Sequence, residues 1–516
     1  MAVDRVAGAT IAPLEKWAAV HPAALAAARG TLSLPGVGAA APPRSSALGE
    51  ALAAANLAWG NPVDSELARW RAGAEVVVTG QQPGLFGGPL LTLVKAAAVA
   101  AEVRRRRTAG REAVGFLWLA TADDDLAEVG WGRVVVGEEV REVRESAWER
   151  GGSLAGDVRL GESCTAFLDI VRSQLPGGHA AEAVALASEC YRAGARLGDA
   201  TARFLARLLA GSGIVLVDAL KPELARSTAP VLARVLAGLP AFWEALAAGT
   251  EGMKARGWRP PLRISPQKLP AFRRVGERRE SVPTRARACP PEILREAADH
   301  PERFLPNAWL RPLLQDAALG TAVALLGSAE LAYHVQTAEV RPLAGIARPD
   351  WLLRPHVTVV TSAERRLAKQ LGVTPEHLLR PTPPSAALPG RATRRRLERA
   401  RAALAGQMDQ LAQSARQELP SLAGDVDATS RKLDAALAWL ESRMASAASR
   451  DADVELSRWR RLRAFLRPDG SPQERHLSVL APLLRLGTGW PAQLVAALDP
   501  TNPGMHLLFW GEGGAW

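Results

Sequence analysis

Three β-branched residues, Val76-Val77-Val78, run straight into Thr79-Gly80-Gln81-Gln82-Pro83-Gly84-Leu85-Phe86-Gly87-Gly88-Pro89-Leu90 and then into a long Ala/Leu/Val stretch carrying Lys95. No other segment restricts the architecture as much. It reads as a buried strand, a tight Gly-rich bend and the start of a helix. Such a bend offers unpaired backbone N–H groups at the positive end of a helix dipole, so an anion or nucleotide phosphate would be held by Gly80, Gly84, Gly88 and Lys95. The spacing is neither GxGxxG nor GxxxxGK[ST], so neither phosphate fingerprint applies. Gln81 and Gln82 set this bend apart. Their neutral amides donate and accept hydrogen bonds, which suits a polar substrate such as a sugar, a carboxylate or an amino acid. A second reading stands beside this one: a buried helix start capped by amides.

Further strands are expected at Val114–Ala120, Val134–Val136, Ile214–Val217, Ala322–Leu326 and Val357–Val360, with helical segments between most of them. That alternation predicts an α/β fold with a mainly parallel sheet. A helical segment, 1–74, broken by loops near Pro35 and Pro42, precedes a core at 75–384. The core carries a mostly helical insertion at about 140–210 and an irregular Pro/Arg-rich excursion at about 256–291, of the kind that shapes an active-site rim. In 385–468 two apolar stripes, Leu397 to Ala415 and Val426 to Met444, flank a break near Pro420 and Gly424. They predict an antiparallel helical coiled-coil hairpin whose seam is suited to a homodimer. The last segment, 469–516, is expected to return to the core.

With 516 residues, 48% of them hydrophobic, the chain can bury a sizeable core in two or three domains. There is no uncharged apolar run of membrane-spanning length, so no membrane partner is expected. Cys164, Cys190 and Cys289 lack metal-ligand spacing and fit reduced thiols in a cytoplasm; no metal site is expected. The net charge of +11 comes almost entirely from Arg. Runs such as Arg104–Arg107 and Arg394–Arg396 lack interleaved aromatics, so solvated helix faces are expected and nucleic-acid binding is not.

Three further clusters carry chemistry. Phe116-Leu-Trp-Leu-Ala-Thr-Ala-Asp-Asp-Asp-Leu126 is a buried strand ending in three carboxylates, with Glu128 nearby; strand C-termini of open α/β sheets are where ligands bind. Asp123 and Asp125 are the candidate catalytic or amine-binding acids, with helix capping by Asp123 or Asp124 as the bland alternative. Arg311 and Gln315, four residues apart, share a helix face and would clamp a carboxylate or phosphate. Val323-Ala-Leu-Leu-Gly-Ser-Ala-Glu-Leu-Ala-Tyr-His334 repeats the strand, small turn and helix. It places Glu330 and Tyr333 near the ligand edge as substrate-binding residues; His334 is more readily structural.

In this order the segments resemble the BshC family, the cysteine-adding enzymes of bacillithiol biosynthesis. The resemblance rests on Thr79-Gly-Gln-Gln-Pro-Gly-Leu85, Gly88-Pro-Leu90, Lys95, Trp118-Leu-Ala120, Asp123-x-Asp125, His300-Pro-Glu-Arg-Phe304, Arg311-Pro-Leu-Leu-Gln315, Glu330-x-x-Tyr333 and Gln473-Glu-Arg475. It runs from about residue 75 to the C-terminus. It implies a Rossmann-like core with connecting-peptide-type insertions and a dimerising coiled coil. The implied reaction is amide formation between L-cysteine and the amine of glucosaminyl-malate, with ATP as a candidate co-substrate and no certain cofactor. The chain departs from the family in the acidic loop. Where the family reads Glu-Asp-His-Asp and then Asn-His, this chain has Ala122-Asp123-Asp124-Asp125 and then Gly130-Trp131, and Ser328-Ala329 stands where Pro-Gly is usual. Alternatives are a nucleotidyltransferase-like ligase for a different amine, a non-catalytic dimeric metabolite-binding protein, and an RNA-binding scaffold.

Overall fold

The structure is a computed structural model. It describes residues 8–12, 20–32, 34, 44–145, 148, 153–374, 377, 391–446 and 450–510. The loops around Pro35 and Pro42 and the expected boundary near 384 lie outside these residues.

Five strands form the central sheet: β1 (Glu75–Gln81), β2 (Ala113–Leu119), β3 (Ile214–Asp218), β4 (Thr321–Leu326) and β5 (Asp350–Leu353). They lie in the order β5-β4-β1-β2-β3, and every pairing is parallel. The alternation along each strand explains why. In β1, Val77 enters one core while Val76 and Val78 enter the other; in β2, Leu117 and Leu119 oppose Val114, Phe116 and Trp118 in the same way. A sheet apolar on both faces needs helices on both, which crossover connections supply. The chain first winds one way, β1 to β3, and then returns beside β1 as β4. That reversal between β1 and β4 opens a crevice at the strands' carboxyl ends, where ligands bind in such sheets.

Helix α1 (Leu91–Thr108) follows the Gly-rich bend and is buried over most of its circumference. The basic run at its end is absorbed by the fold. Arg105 and Arg106 bracket Glu102, Arg106 also pairs with Glu75, and Arg107 Nε donates to the Ala113 carbonyl (2.9 Å). Helices α2 (Leu310–Leu319) and α3 (Ser328–Gln336) flank β4.

Two expected strands leave the central sheet. Val134–Val136 belongs to an antiparallel hairpin, Trp131–Val136 with Glu139–Arg144. Val357–Val360 lies in His356–Val360, which joins a separate three-stranded sheet with Gly8–Ala12 and Met505–Phe509. The first is closed by a short turn onto an antiparallel partner, and the second follows β5 after only two residues, too few for a crossover into the same parallel sheet. The excursion at 256–291 is ordered where irregularity was expected: Lys268–Val275 and Arg278–Pro283 pair as a hairpin, extended by Phe304–Pro306. Three helices, Glu162–Gln174, Gly178–Cys190 and Leu197–Leu208, fill the earlier insertion.

Towards the C-terminus, α4 (Arg391–Glu418) and α5 (Ala423–Ser446) form an antiparallel hairpin around the short turn Pro420–Leu422. Arg401 pairs with Asp434 and Glu441 across it. Helix α6 (Arg450–Leu466) then packs Trp459, Leu462 and Phe465 into the main core. No single described helix is long and apolar enough to cross a membrane.

Candidate functional site

The carboxyl edge of the sheet opens into a cavity of about 660 Å³, within the range of small-molecule sites. Gly80, Gln81 and Gln82 come to it from the end of β1, Asp123 and Glu128 from the loop after β2, Lys221 from the loop after β3, and Ser328, Glu330 and Tyr333 from the turn after β4. Arg311 joins from α2, Phe272 and Arg279 from the ordered hairpin, and Arg354 and Arg475 from the C-terminal side. The glutamine bend and the aspartate loop meet directly: Gln82 Nε2 donates to Asp123 Oδ2 at 2.7 Å. They meet because β1 and β2 are adjacent and end in register, Gln81 opposite Leu119.

At the crevice between β1 and β4, Lys95 is buried and its Nζ donates to the Gly80 carbonyl (2.7 Å), Gln81 Oε1 (3.1 Å) and Glu330 Oε2 (2.8 Å). An ammonium has three donors, and here the protein takes all three. Burial lowers the Lys95 pKa against the opposing pull of Glu330. Burial acts to raise Glu330, but Lys95 and the Gly327 amide (2.7 Å) prevail and hold it below the usual carboxylate range. Lys95 therefore locks α1 to the start of α3.

The Gly-rich bend differs from the expected anion cradle. Gly84 N–H donates to Thr201 Oγ1 (3.2 Å), Gly87 N–H to the Tyr191 hydroxyl (2.6 Å) and Gly88 N–H to the Leu85 carbonyl (3.0 Å). Amides already bonded within the protein are not free for phosphate. The glycines serve close packing instead: a Cβ on Gly84 would lie 2.8 Å from Gly88 Cα, and Gly88 itself has φ +73°. Gly84 and Gly88 face a smaller outer groove of about 280 Å³, alongside Gln82, Glu128 and Arg475.

Arg311 lines the cavity from α2 and faces α3. Its Nη2 donates to the Tyr333 hydroxyl (2.7 Å) and its Nη1 to Gln315 Oε1 (3.0 Å). Gln315 lies behind it, outside the cavity lining, so it orients the guanidinium and does not share the clamp. His334 is buried below, stacked on Tyr333 and edge-on to Trp351; burial, then Arg341 and Arg311, push it well below its usual pKa.

In the acidic loop, Asp125 is the cap: its Oδ1 accepts from Glu128 N–H (3.3 Å) at the start of Leu126–Val129, and it does not line the cavity. A single-turn helix after the triplet needs one cap, and the nearest residue supplies it. Asp123 and Asp124 pair with Arg279, which also donates to the Ala122 carbonyl (3.1 Å). The three cysteines are free thiols, all of them buried. Burial pushes Cys164 up to about 12 and Cys190 and Cys289 up to about 11, and none lines the cavity.

Sequence reasoning singled out neither Arg279 nor Arg354, and it quoted Arg475 only as part of a motif. Arg354 is fully buried, with Nη1 and Nη2 held by Glu474 at 3.0 and 2.7 Å. Its Nε, the Nε of Arg279 and the Trp118 indole N–H have no hydrogen-bond partner among the described residues, and all three side chains line the cavity. Seven cations (Lys95, Lys221, Arg263, Arg279, Arg311, Arg354, Arg475) face four carboxylates (Asp123, Glu128, Glu302, Glu330). This excess of cations suits a ligand rich in anionic oxygens.

Residues 39–355 match the model of the bacillithiol biosynthesis BshC N-terminal Rossmann-like domain, and residues 357–510 that of the BshC C-terminal coiled-coil domain. Among curated relatives carrying the name "Putative cysteine ligase BshC", that of Solibacter usitatus is 30% identical over 460 residues, covering 85% of either chain. The Thermus thermophilus protein is 30% identical over 79% of this chain and 83% of its own. The Chlorobaculum tepidum protein is 25% identical over 84% and 82%.

Proposed function

This chain belongs to the BshC family, and on that premise we propose that it is a ligase joining the carboxyl of L-cysteine to the amine of glucosaminyl-malate by an amide bond. The observation that carries this reading is the polarity of the cavity. Beside the crevice between β1 and β4 stand Arg311 and the fully buried Arg354, held by Tyr333 and Glu474. On the loop after β2 stand Asp123 and Glu128, with Gln82 on Asp123. A substrate with carboxylates on one part and an ammonium on another fits that division: the guanidiniums take the malyl carboxylates, and the acids take the amine. Tyr333, Gln81 and Glu330 fix the groups between.

Carboxylate and ammonium do not condense at useful rates in water, so the cysteine carboxyl needs activation, for which ATP is the candidate co-substrate. Because the amides of the Gly-rich bend are committed, contacts to phosphate fall to the cations of the cavity. Purified protein incubated with cysteine, glucosaminyl-malate and ATP is expected to give the cysteinyl product by mass spectrometry, with none when any one component is omitted. Absence of product from the complete mixture, together with tight binding of a different amine, would move the reading to the alternative substrate that the altered acidic loop permits.

The second part of the reading is a homodimer through the α4–α5 hairpin. The two helices make their principal contacts with one another, burying Ala412 and Ala415 while leaving Leu411, Leu419 and Trp439 52%, 56% and 65% exposed. Apolar side chains in that number on a projecting element are suited to a second copy.

A further inference from the structure

The loop after β2 carries four carboxylates, and the fold commits three of them. Asp123 and Asp124 are paired with Arg279, and Asp125 caps a helix. Asp123 is further occupied by Gln82 Nε2 on Oδ2 and by the Asp124 N–H on Oδ1 (2.9 Å). Glu128 is the exception: no ion pair involves it among the described residues, and its carboxyl is met by the neutral Gln82 amide. Glu128 also lines two spaces at once, the main cavity and the outer groove.

We propose that Glu128 is the general base of this ligase, removing the proton from the substrate's primary ammonium before its nitrogen attacks the activated acyl carbon. The inference rests on the ligase reading above and names the residue that reading leaves open. In the step, one N–H bond of the ammonium breaks, its electron pair stays on nitrogen, and the proton forms an O–H bond on the Glu128 carboxylate. Nothing else is consumed. The neutral amine then forms the C–N bond with a carboxyl activated by a nucleoside triphosphate; the acyl C–O bond breaks, its electron pair leaves with the phosphate-bearing group, the nitrogen's second proton passes to solvent water, and Glu128 returns its own proton to water through the outer groove.

The surroundings favour this residue over its neighbours. The charged groups facing it are Asp123 and Asp125 on its own loop, Arg279 of the hairpin behind Asp123, and Arg475, which lines the same two spaces from the C-terminal segment. Its side chain is exposed at the rim, and desolvation by the surrounding protein, then Asp125 and Asp123, push its pKa above the usual carboxylate value against the pull of Gln82. A carboxylate shifted in that direction is a stronger base near neutral pH. Asp124 is paired with Arg279, so proton transfer falls to the acid without an ion-pair partner among the described residues.

The test compares wild type, Glu128→Gln and Glu128→Asp in the product assay from pH 6 to 9.5, with circular dichroism to confirm folding. Glu128→Gln is expected to lower kcat about 10²- to 10⁴-fold at pH 7 while leaving KM for the amine nearly unchanged. Its rate should then climb with pH towards wild type, as solvent deprotonates the amine. Glu128→Asp should be intermediate. A Glu128→Gln enzyme with wild-type kcat and pH profile, or a loss confined to KM, or one that alkaline pH does not restore, overturns the assignment alone. If wild type itself makes no product, the ligase reading falls and the base assignment falls with it.

Discussion

Glu474 accepts hydrogen bonds from Arg354, His356 Nδ1 (2.8 Å) and the Val357 N–H (3.1 Å) in a site closed to solvent. Burial acts to raise its pKa, but the Arg354 charge, then His356, hold it well below the usual carboxylate range. Replacing it with leucine would leave Arg354 a buried, uncompensated charge at the wall of the cavity. Glu474→Leu is expected to cost about 3–5 kcal/mol, read as a lower denaturant midpoint at unchanged m-value. An unchanged midpoint would mean that Arg354 finds another partner. The buried histidines set the acid limit. Burial lowers His334, with Arg341 and Arg311 adding to it, and burial and Arg354 lower His356 against Glu474. A folded pKa below the unfolded value of about 6.5 means the unfolded chain takes the proton first as pH falls. This contribution is therefore complete above about pH 6.5 and is lost below it, by up to about 1.4 kcal/mol per pH unit for each histidine. Glu474, also depressed, adds its own loss only below about pH 4.3. Unfolding midpoints measured between pH 7.5 and 5 should fall in wild type and fall less in His334→Phe; parallel slopes would reject the role of His334.

The bend between β1 and α1 is held from outside by the insertion helices. The Tyr191 hydroxyl accepts from Gly87 N–H and donates to the Gly84 carbonyl (3.0 Å), and Phe86 stacks on Phe167 (5.7 Å between centroids). Tyr191→Phe would leave the Gly87 N–H buried without a partner, at a cost of about 1–3 kcal/mol. It should also loosen Gln82 and lower kcat at unchanged fold, because Gln82 lies only two residues before Gly84 in the same bend. Full activity at reduced stability would show that the bend is positioned by other contacts. The same element shows where sequence reading reaches its limit. Strand, bend and helix were legible because β-branched residues and glycines act locally, and the adjacency of Gln82 and Asp123 followed from two consecutive parallel strands. The occupation of the Gly84 and Gly87 amides was not legible, since their partners Thr201 and Tyr191 lie more than 100 residues away. Arg279 was hidden for the same reason, in an Arg-rich stretch whose β-pairing no short-range pattern announces. β5 escaped notice because Asp350–Leu353 is a four-residue edge strand, too short for any periodicity.

Over the whole molecule, the site is shared between regions far apart in sequence. β1, β2 and β4 bring the glutamines, acids and Tyr333, whereas Glu474 and Arg475 arrive from beyond the α4–α5 hairpin, Glu474 fastening Arg354 at the end of the Rossmann-like region and Arg475 lining the cavity. The chain that leaves the core through the hairpin must return through α6 to complete the cavity wall. Association through the hairpin and order in the site are then separable quantities, because the hairpin's exposed apolar face lies on α4 and α5 while the returning segment is anchored by Trp459, Leu462 and Phe465 in the main core. A Leu411→Glu, Trp439→Glu double variant tests the separation. Sedimentation is expected to shift from two copies to one, since two charges on the apolar face make its burial unfavourable. Helix content and the thermal transition of the core should change little, because neither side chain touches it. Sedimentation of wild type as a single copy at micromolar concentration would remove the dimer. A double variant that loses the core transition together with association would show instead that the hairpin and the cavity fold as one unit.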